Sequence, residues 1–156
     1  MRNSTPGWPG SRPRKSSPST PRPLLADPAK RKVGHHGKYD LHVLRCHGAQ
    51  VRGYSDDTMM ESFVLNATAT RHDMDSLAMR YLGYKTVTYT DVAGKGAKQI
   101  PFPTVAIDDA TRYAGEDADV TLRLHRTLRP KLAEEPALER VYREIELPLV
   151  PVLERI

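Results

Sequence analysis

The sequence predicts an α/β chain, mostly helical, behind a disordered N-terminal tail. Three observations lead there. Apolar residues recur at helical spacing in several stretches; only Lys32-Val33-Gly34 and the segment from Val51 to Tyr54 have the look of strands; and residues 1–22 hold no apolar periodicity.

The tail is Pro/Ser/Arg-rich, with Trp8 as its only aromatic and six prolines in the first 23 residues, a composition that cannot bury enough apolar surface to fold. Leu24, Leu25 and Ala29 suggest a short helical turn, and Lys32 to Gly34 a strand that breaks at the glycine. His35 to Gly37 form a loop into a helix from about Tyr39 to Gly48, with Leu41, Val43 and Leu44 as apolar contacts. Asp56 or Asp57 can N-cap the next helix, whose Met59, Met60, Phe63 and Val64 read as a core stripe. The stretch RHDMDSLAMRYLG is a helix capped near Asp73, packing Leu77, Met79, Tyr81 and Leu82 and stopped by Gly83. A polar segment with Gly94, Gly96, Pro101 and Pro103 follows. The longest helix runs from about Pro103 to Leu132 with an internal break, and a final helix from Pro136 is interrupted by Pro148 and Pro151.

At 156 residues the length fits one ordinary domain and excludes a multidomain enzyme. The formal charge is +5, but residues 1–32 alone carry eight Lys/Arg against Asp27, a net +7, and residues 33–156 are therefore at −2. The basic character belongs to the tail, as a DNA-binding arm or as a solvated leader. A single cysteine, Cys46, excludes an internal disulfide framework and fits the cytoplasm. No apolar run approaches membrane-spanning length, and the N-terminus lacks the apolar region of a secretory signal.

The sharpest local signal is Arg112-Tyr113-Ala114-Gly115-Glu116-Asp117-Ala118-Asp119. Tyr113 and Asp117, four apart, share a helix face. A phenol that orients water beside a carboxylate that holds a divalent cation suits metal-assisted phosphodiester hydrolysis; a surface acid cluster with one half-buried tyrosine has the same pattern. Asp40, after a strand and a glycine-bearing loop, is placed either for a second metal-facing carboxylate or for an N-cap. His42 and Cys46 are four apart on a helix, but no paired Cys or His motif elsewhere completes a zinc site. The GKGAK segment lacks the spacing and terminal hydroxyl of a phosphate loop.

In order along the chain, KVGHHGKYDLHVL, DTMMESFVLNATATRHDMDSLAMRYLGYKTVTYTDVAGKGAKQI, RYAGEDADVTLRLH and EIELPLVPVLERI resemble the proofreading 3'-5' exonuclease domain of bacterial DNA polymerase I and the first residues of its polymerase domain. The resemblance runs from about Leu24 to Ile156. It implies a ribonuclease-H-like α/β fold, present here incompletely: residues 1–22 as an unrelated leader, 23–134 as the C-terminal part of the exonuclease domain, and 135–156 as the start of the polymerase domain. It further implies removal of nucleotides from the single-stranded 3' end of DNA, in replication and repair, with Mg2+ or Mn2+. Tyr39 and Asp40 match the end of the family's second motif, the Asp acting on the second metal. Tyr113 and Asp117 match the third, the Tyr positioning the attacking water and the Asp ligating metal. Arg71 would lie near the bound 3' end. The second motif usually begins with Asn where this chain has His36.

The family's first motif, Asp-x-Glu, has no counterpart: the only acid before Asp40 is Asp27, followed by Pro28 and Ala29. Without those carboxylates the remaining two hold a hydrated cation weakly. The expectation is a chain inactive by itself, without polymerase residues, whose strand-facing apolar surfaces lack their sheet. The contrasting expectation is a non-catalytic DNA-binding or interaction module that uses the basic tail.

Overall fold

The computed structural model describes residues 23–155 except Thr70. The tail expected over residues 1–22 lies outside them. Helix α1 (Pro23–Ala26) leads to strand β1 (Lys32–Gly34), and α2 (Gly37–Cys46) crosses to β2 (Tyr54–Asp57). Helix α3 (Thr58–Leu65) follows directly. Helix α4 (Met74–Leu77) runs into a wide π turn at Ala78–Leu82 and ends at Gly83, which takes the left-handed conformation (φ 60°) that stops a helix. After α5 (Tyr89–Ala93) comes the long α6 (Ile107–Ala133), then α7 (Pro136–Val141), a second π turn at Tyr142–Glu146, and α8 (Leu147–Leu153).

β1 and β2 are parallel, pairing Lys32 with Tyr54, Val33 with Asp56 and Gly34 with Asp57; an irregularity between Lys32 and Val33 shifts the register. A parallel pair needs a crossover connection, and α2 supplies it. The second strand starts three residues later than Val51 suggests, because Arg52 and Gly53 are spent on closing a turn: the Arg52 N–H donates to the Leu25 carbonyl and the Lys32 N–H to the Gly53 carbonyl.

The core lies on one face of α6. Val120, Leu124 and Leu128, spaced by four, pack with Leu77 and Ala78, and Leu65, Met74, Tyr81, Leu82 and Tyr84 close around them. Helix α6 is unbroken through Gly115 and Pro130, at roughly 1.5 Å per residue a rod of about 40 Å. The expected internal break is absent because the buried leucine row on one side outweighs a single glycine's cost. The interruption expected at Pro148 and Pro151 is absent: a π turn precedes them, Pro148 sits in the first turn of α8 where a missing N–H costs little, and Pro151 lies inside that helix.

Several apolar contacts fall elsewhere than the spacing suggests. Met79 and Val43 are exposed, as is Phe63. On α3 the fully buried residues are Thr58, Glu61 and Ser62, so the polar face turns inward, while Met59, Met60 and Val64 are half-buried and Phe63 is exposed. Among the described residues no helix is long and apolar enough to cross a membrane.

Candidate active site

One carboxylate organises the entrance to the site. Asp57 ends β2, and its Oδ1 accepts the backbone N–H groups of Met59 (3.0 Å) and Met60 (3.3 Å), capping α3 as the sequence suggests. The same side chain reaches across to the start of α2: Oδ1 accepts the His36 N–H (3.2 Å) and Oδ2 the Gly37 N–H (2.8 Å). A buried anion thus meets the positive ends of two helices. The Tyr54 hydroxyl donates to Oδ2 at 2.8 Å, and the two glycines make room for its ring. A Cβ at Gly37 would overlap the phenol, and one at Gly34 would lie 2.6 Å from its hydroxyl.

His36 sits between strand and helix at φ 59°, in the left-handed region. Histidine shares with asparagine an enrichment there, so both residues serve the same backbone requirement. The local hydrogen bond at this position comes from the His36 backbone N–H to Asp57, and its side chain makes no cap among the described residues. Asp40 follows in the first turn of α2.

The opposite wall is α6. Its acidic run divides by direction. Glu116 pins the preceding loop, accepting from the Tyr84 hydroxyl (2.6 Å) and the Val87 N–H (2.7 Å). Asp119 pairs with Arg123 one turn on, at 3.6 Å. Asp117 faces a cleft of about 490 Å³ that it shares with Asp40, His35, Arg31, Met74 and Thr121. Burial raises the Asp117 carboxyl above the ordinary range, and the negative charges of Asp75, Glu116 and Asp40 add to it. Asp40, at the mouth, is exposed on average, yet partial desolvation raises it as well; the shift at Asp117 carries more weight because that side chain is the less exposed. Burial lowers His35, whose Nδ1 lies 2.8 Å from the Thr58 hydroxyl and whose buried Nε2 has no partner among the described residues.

Tyr113 lies one turn before Asp117, half-buried, its ring 6.0 Å from that of Phe102; burial, with the nearby Asp117 charge, raises its phenol. Arg71 stands on the loop before α4, exposed and paired with Asp73 at 3.3 Å, outside the cleft lining. The fold therefore brings Asp40 and Asp117 together, keeps Tyr113 beside the latter and leaves Arg71 on the surface in a pair with Asp73. Arg31 had no sequence signal of its own, and His35 drew notice only as one of several imidazoles inviting a zinc reading; both reach the cleft because β1 lies alongside α6. Cys46 Sγ is 3.6 Å from His42 Nε2 on the exposed side of α2, where His47 Nδ1 is turned to the Val43 carbonyl.

A second cluster is buried where β2 and α3 meet α6. Asp56, Glu61 and His125 offer ligand atoms all within 4.8 Å of one another. Three guanidinium groups already surround it: Arg31 is 2.7 Å and Arg143 2.9 Å from Asp56, and Arg129 is 3.8 Å away. Burial alone would raise Asp56; the hydrogen bonds of Arg31 and Ser55 and the Arg143 charge outweigh it and hold the carboxyl below its ordinary value. Burial pushes Glu61 up to about 8 and His125 down, so near neutral pH the proton rests on Glu61, which donates to His125 Nδ1 at 2.7 Å. With positive charge already in place, a divalent cation does not fit here.

The chain matches the 3'-5' exonuclease family over residues 19–133 and belongs to it. It is 58% identical over 86% of its length to DNA polymerase I of Pseudomonas aeruginosa, and 47% identical over 85% to that of Rhizobium leguminosarum. The chain spans about 15% and 13% of those proteins. A solved structure of the same kind, the polymerase domain of Pol1 from M. smegmatis in complex with DNA primer-template and dNTP, superposes with a TM-score of 0.64 at 25% identity, covering 84% of this chain and 19% of that one. The ribonuclease-H-like α/β assignment and the polymerase I family both stand.

Proposed function

We propose that the chain carries one wall of a 3'-5' exonuclease site acting on the single-stranded 3' end of DNA. The observation that supports it is Asp40 and Asp117, distant in sequence, lining one cleft. Both offer carboxylate oxygens, the donors that Mg2+ or Mn2+ prefers, and the raised carboxyl of Asp117 is one that a cation readily deprotonates. A bound divalent cation would supply charge stabilisation at the scissile phosphate and acidify water. Asp117 would hold it, Asp40 would act on a second ion through water, and Tyr113 would orient the attacking water. Arg71, exposed on the surface and paired there with Asp73, would meet the phosphate near the 3' terminus.

With no Asp-x-Glu among its residues before Asp40, the chain is proposed to be inactive by itself, in replication and repair alike. A cytoplasmic setting is compatible with the exposed free thiol of Cys46. The test is incubation of the purified chain with 5'-labelled single-stranded DNA and Mg2+ or Mn2+. No shortening is expected, while Mn2+ binding in the cleft should be detectable and lost in Asp117→Ala. Nucleotide release that disappears in Asp117→Ala would overturn the inactivity.

A further inference from the structure

We propose that Asp57 and Tyr142 are positioning residues that tie the C-terminal helical segment to Asp40, a role that rests on reading Asp40 as a site carboxylate. Tyr142 is fully buried in the π turn between α7 and α8. Its hydroxyl accepts the Asp57 backbone N–H at 3.0 Å and donates to Asp56 Oδ1 at 3.3 Å. Asp57 in turn holds the His36 and Gly37 amides, and Asp40 stands in the helical turn that those amides open.

Two further grips fix the same strand end. Arg143 donates to the Ser55 carbonyl at 2.9 Å while it pairs with Asp56, and Glu139 binds the guanidinium groups of Arg129 and Arg143. At the other end of α2, Arg45 pairs with Glu154, and His42 Nδ1 donates to the Glu154 carbonyl at 3.0 Å. The helix bearing Asp40 is thus held at its start through Asp57 and at its finish through Glu154, both times by residues 139–154. A phenol is required at 142 because a ring without the hydroxyl leaves the buried Asp57 N–H with no acceptor. Displacement of the C-terminal segment, for instance by chain beyond it, would then loosen the Asp40 wall of the cleft without touching the α6 wall.

The experiment is backbone amide hydrogen exchange on the whole chain, comparing wild type, Tyr142→Phe and Leu77→Ala, the last a truncation in the core cluster of Val120 and Leu124. Tyr142→Phe should speed exchange at His36 and Gly37 about tenfold or more relative to the Val120 and Leu124 amides. Leu77→Ala should speed all of them together. Identical patterns in the two variants would overturn the proposal. If Tyr142→Phe does not fold, wild type in low denaturant decides it: the Asp57, His36 and Gly37 amides should open with those of Tyr142–Glu146 as one unit, and separate openings would overturn it. A parallel Mn2+ titration keeps the two readings apart. Several-fold weaker Mn2+ broadening at Asp40 in Tyr142→Phe extends the link to metal binding, whereas no broadening in wild type counts against the site itself and leaves the exchange result to judge the coupling.

Discussion

At the scale of single residues, backbone geometry and proton placement dominate. His36 occupies a left-handed conformation that costs an ordinary residue about 1–2 kcal/mol. His36→Gly should therefore leave stability unchanged or raise it by up to about 1 kcal/mol, and His36→Val should lower it by about as much, read as midpoints of urea unfolding. Gly37→Ala should do far more damage, since the methyl overlaps the Tyr54 phenol that braces Asp57; loss of a cooperative thermal transition is expected. Glu61 gives a pH signature. Its carboxyl titrates near 8 when folded and near 4.5 when not, so the folded state binds the extra proton; the stabilisation is complete below about 4.5 and is lost as pH rises through about 8. His125, lowered by burial, acts in the opposite sense only below its ordinary value of 6.5. Thermal stability should thus fall between pH 6.5 and 8 in wild type and stay flat over that window in Glu61→Gln, whose amide can still donate to His125.

At the scale of elements, position was legible in the sequence and facing was not. Helix α3 lies where its spacing and the Asp57 cap put it, because an N-cap is a local transaction between a side chain and amides two and three residues on. Its buried face is Thr58, Glu61 and Ser62 because partners distant in the chain satisfy the polar groups: His125 meets Glu61, and the Ser62 hydroxyl lies 3.0 Å from His72 Nδ1. Hydrophobicity alone favoured the opposite face, and nothing local to α3 announces a histidine on α6. Helix α6 shows the converse, since its leucine row is long enough to be read from spacing alone. Leu124→Ala should cost about 2–5 kcal/mol by urea denaturation, as fully buried leucines do, while Leu122→Ala on the exposed side should cost under about 1 kcal/mol.

For the molecule as a whole, the C-terminal segment is part of the same body as the cleft. Deleting residues 135–156 removes Arg143 and Tyr142 from the buried Asp56, so the shortened chain should lose its cooperative unfolding transition. Metal binding should follow protons: Mn2+ affinity should weaken as pH falls through the raised range of Asp117 and Asp40, read by nuclear relaxation across a pH series. The charge imbalance gives another test. If the +7 of residues 1–32 binds DNA, deleting residues 1–22 should flatten the salt dependence of binding to single-stranded DNA.

By itself the sequence determined the family, the order of the main helices though not the short α5, the cap at Asp73, a cap at Asp56 or Asp57, and the two carboxylates of the cleft. Each of these is written in local spacing or in contiguous blocks such as RYAGEDAD. Tertiary structure alone decided that Asp57 caps two helices at once, that Asp56 lies beneath three arginines, and that Arg31 and His35 line the same cleft as Asp117. The reason is range: caps and periodic faces involve residues a few positions apart, whereas a buried charge is tolerable only when groups from β1, α6 and the C-terminal turn converge on it, and no short stretch of sequence records that convergence.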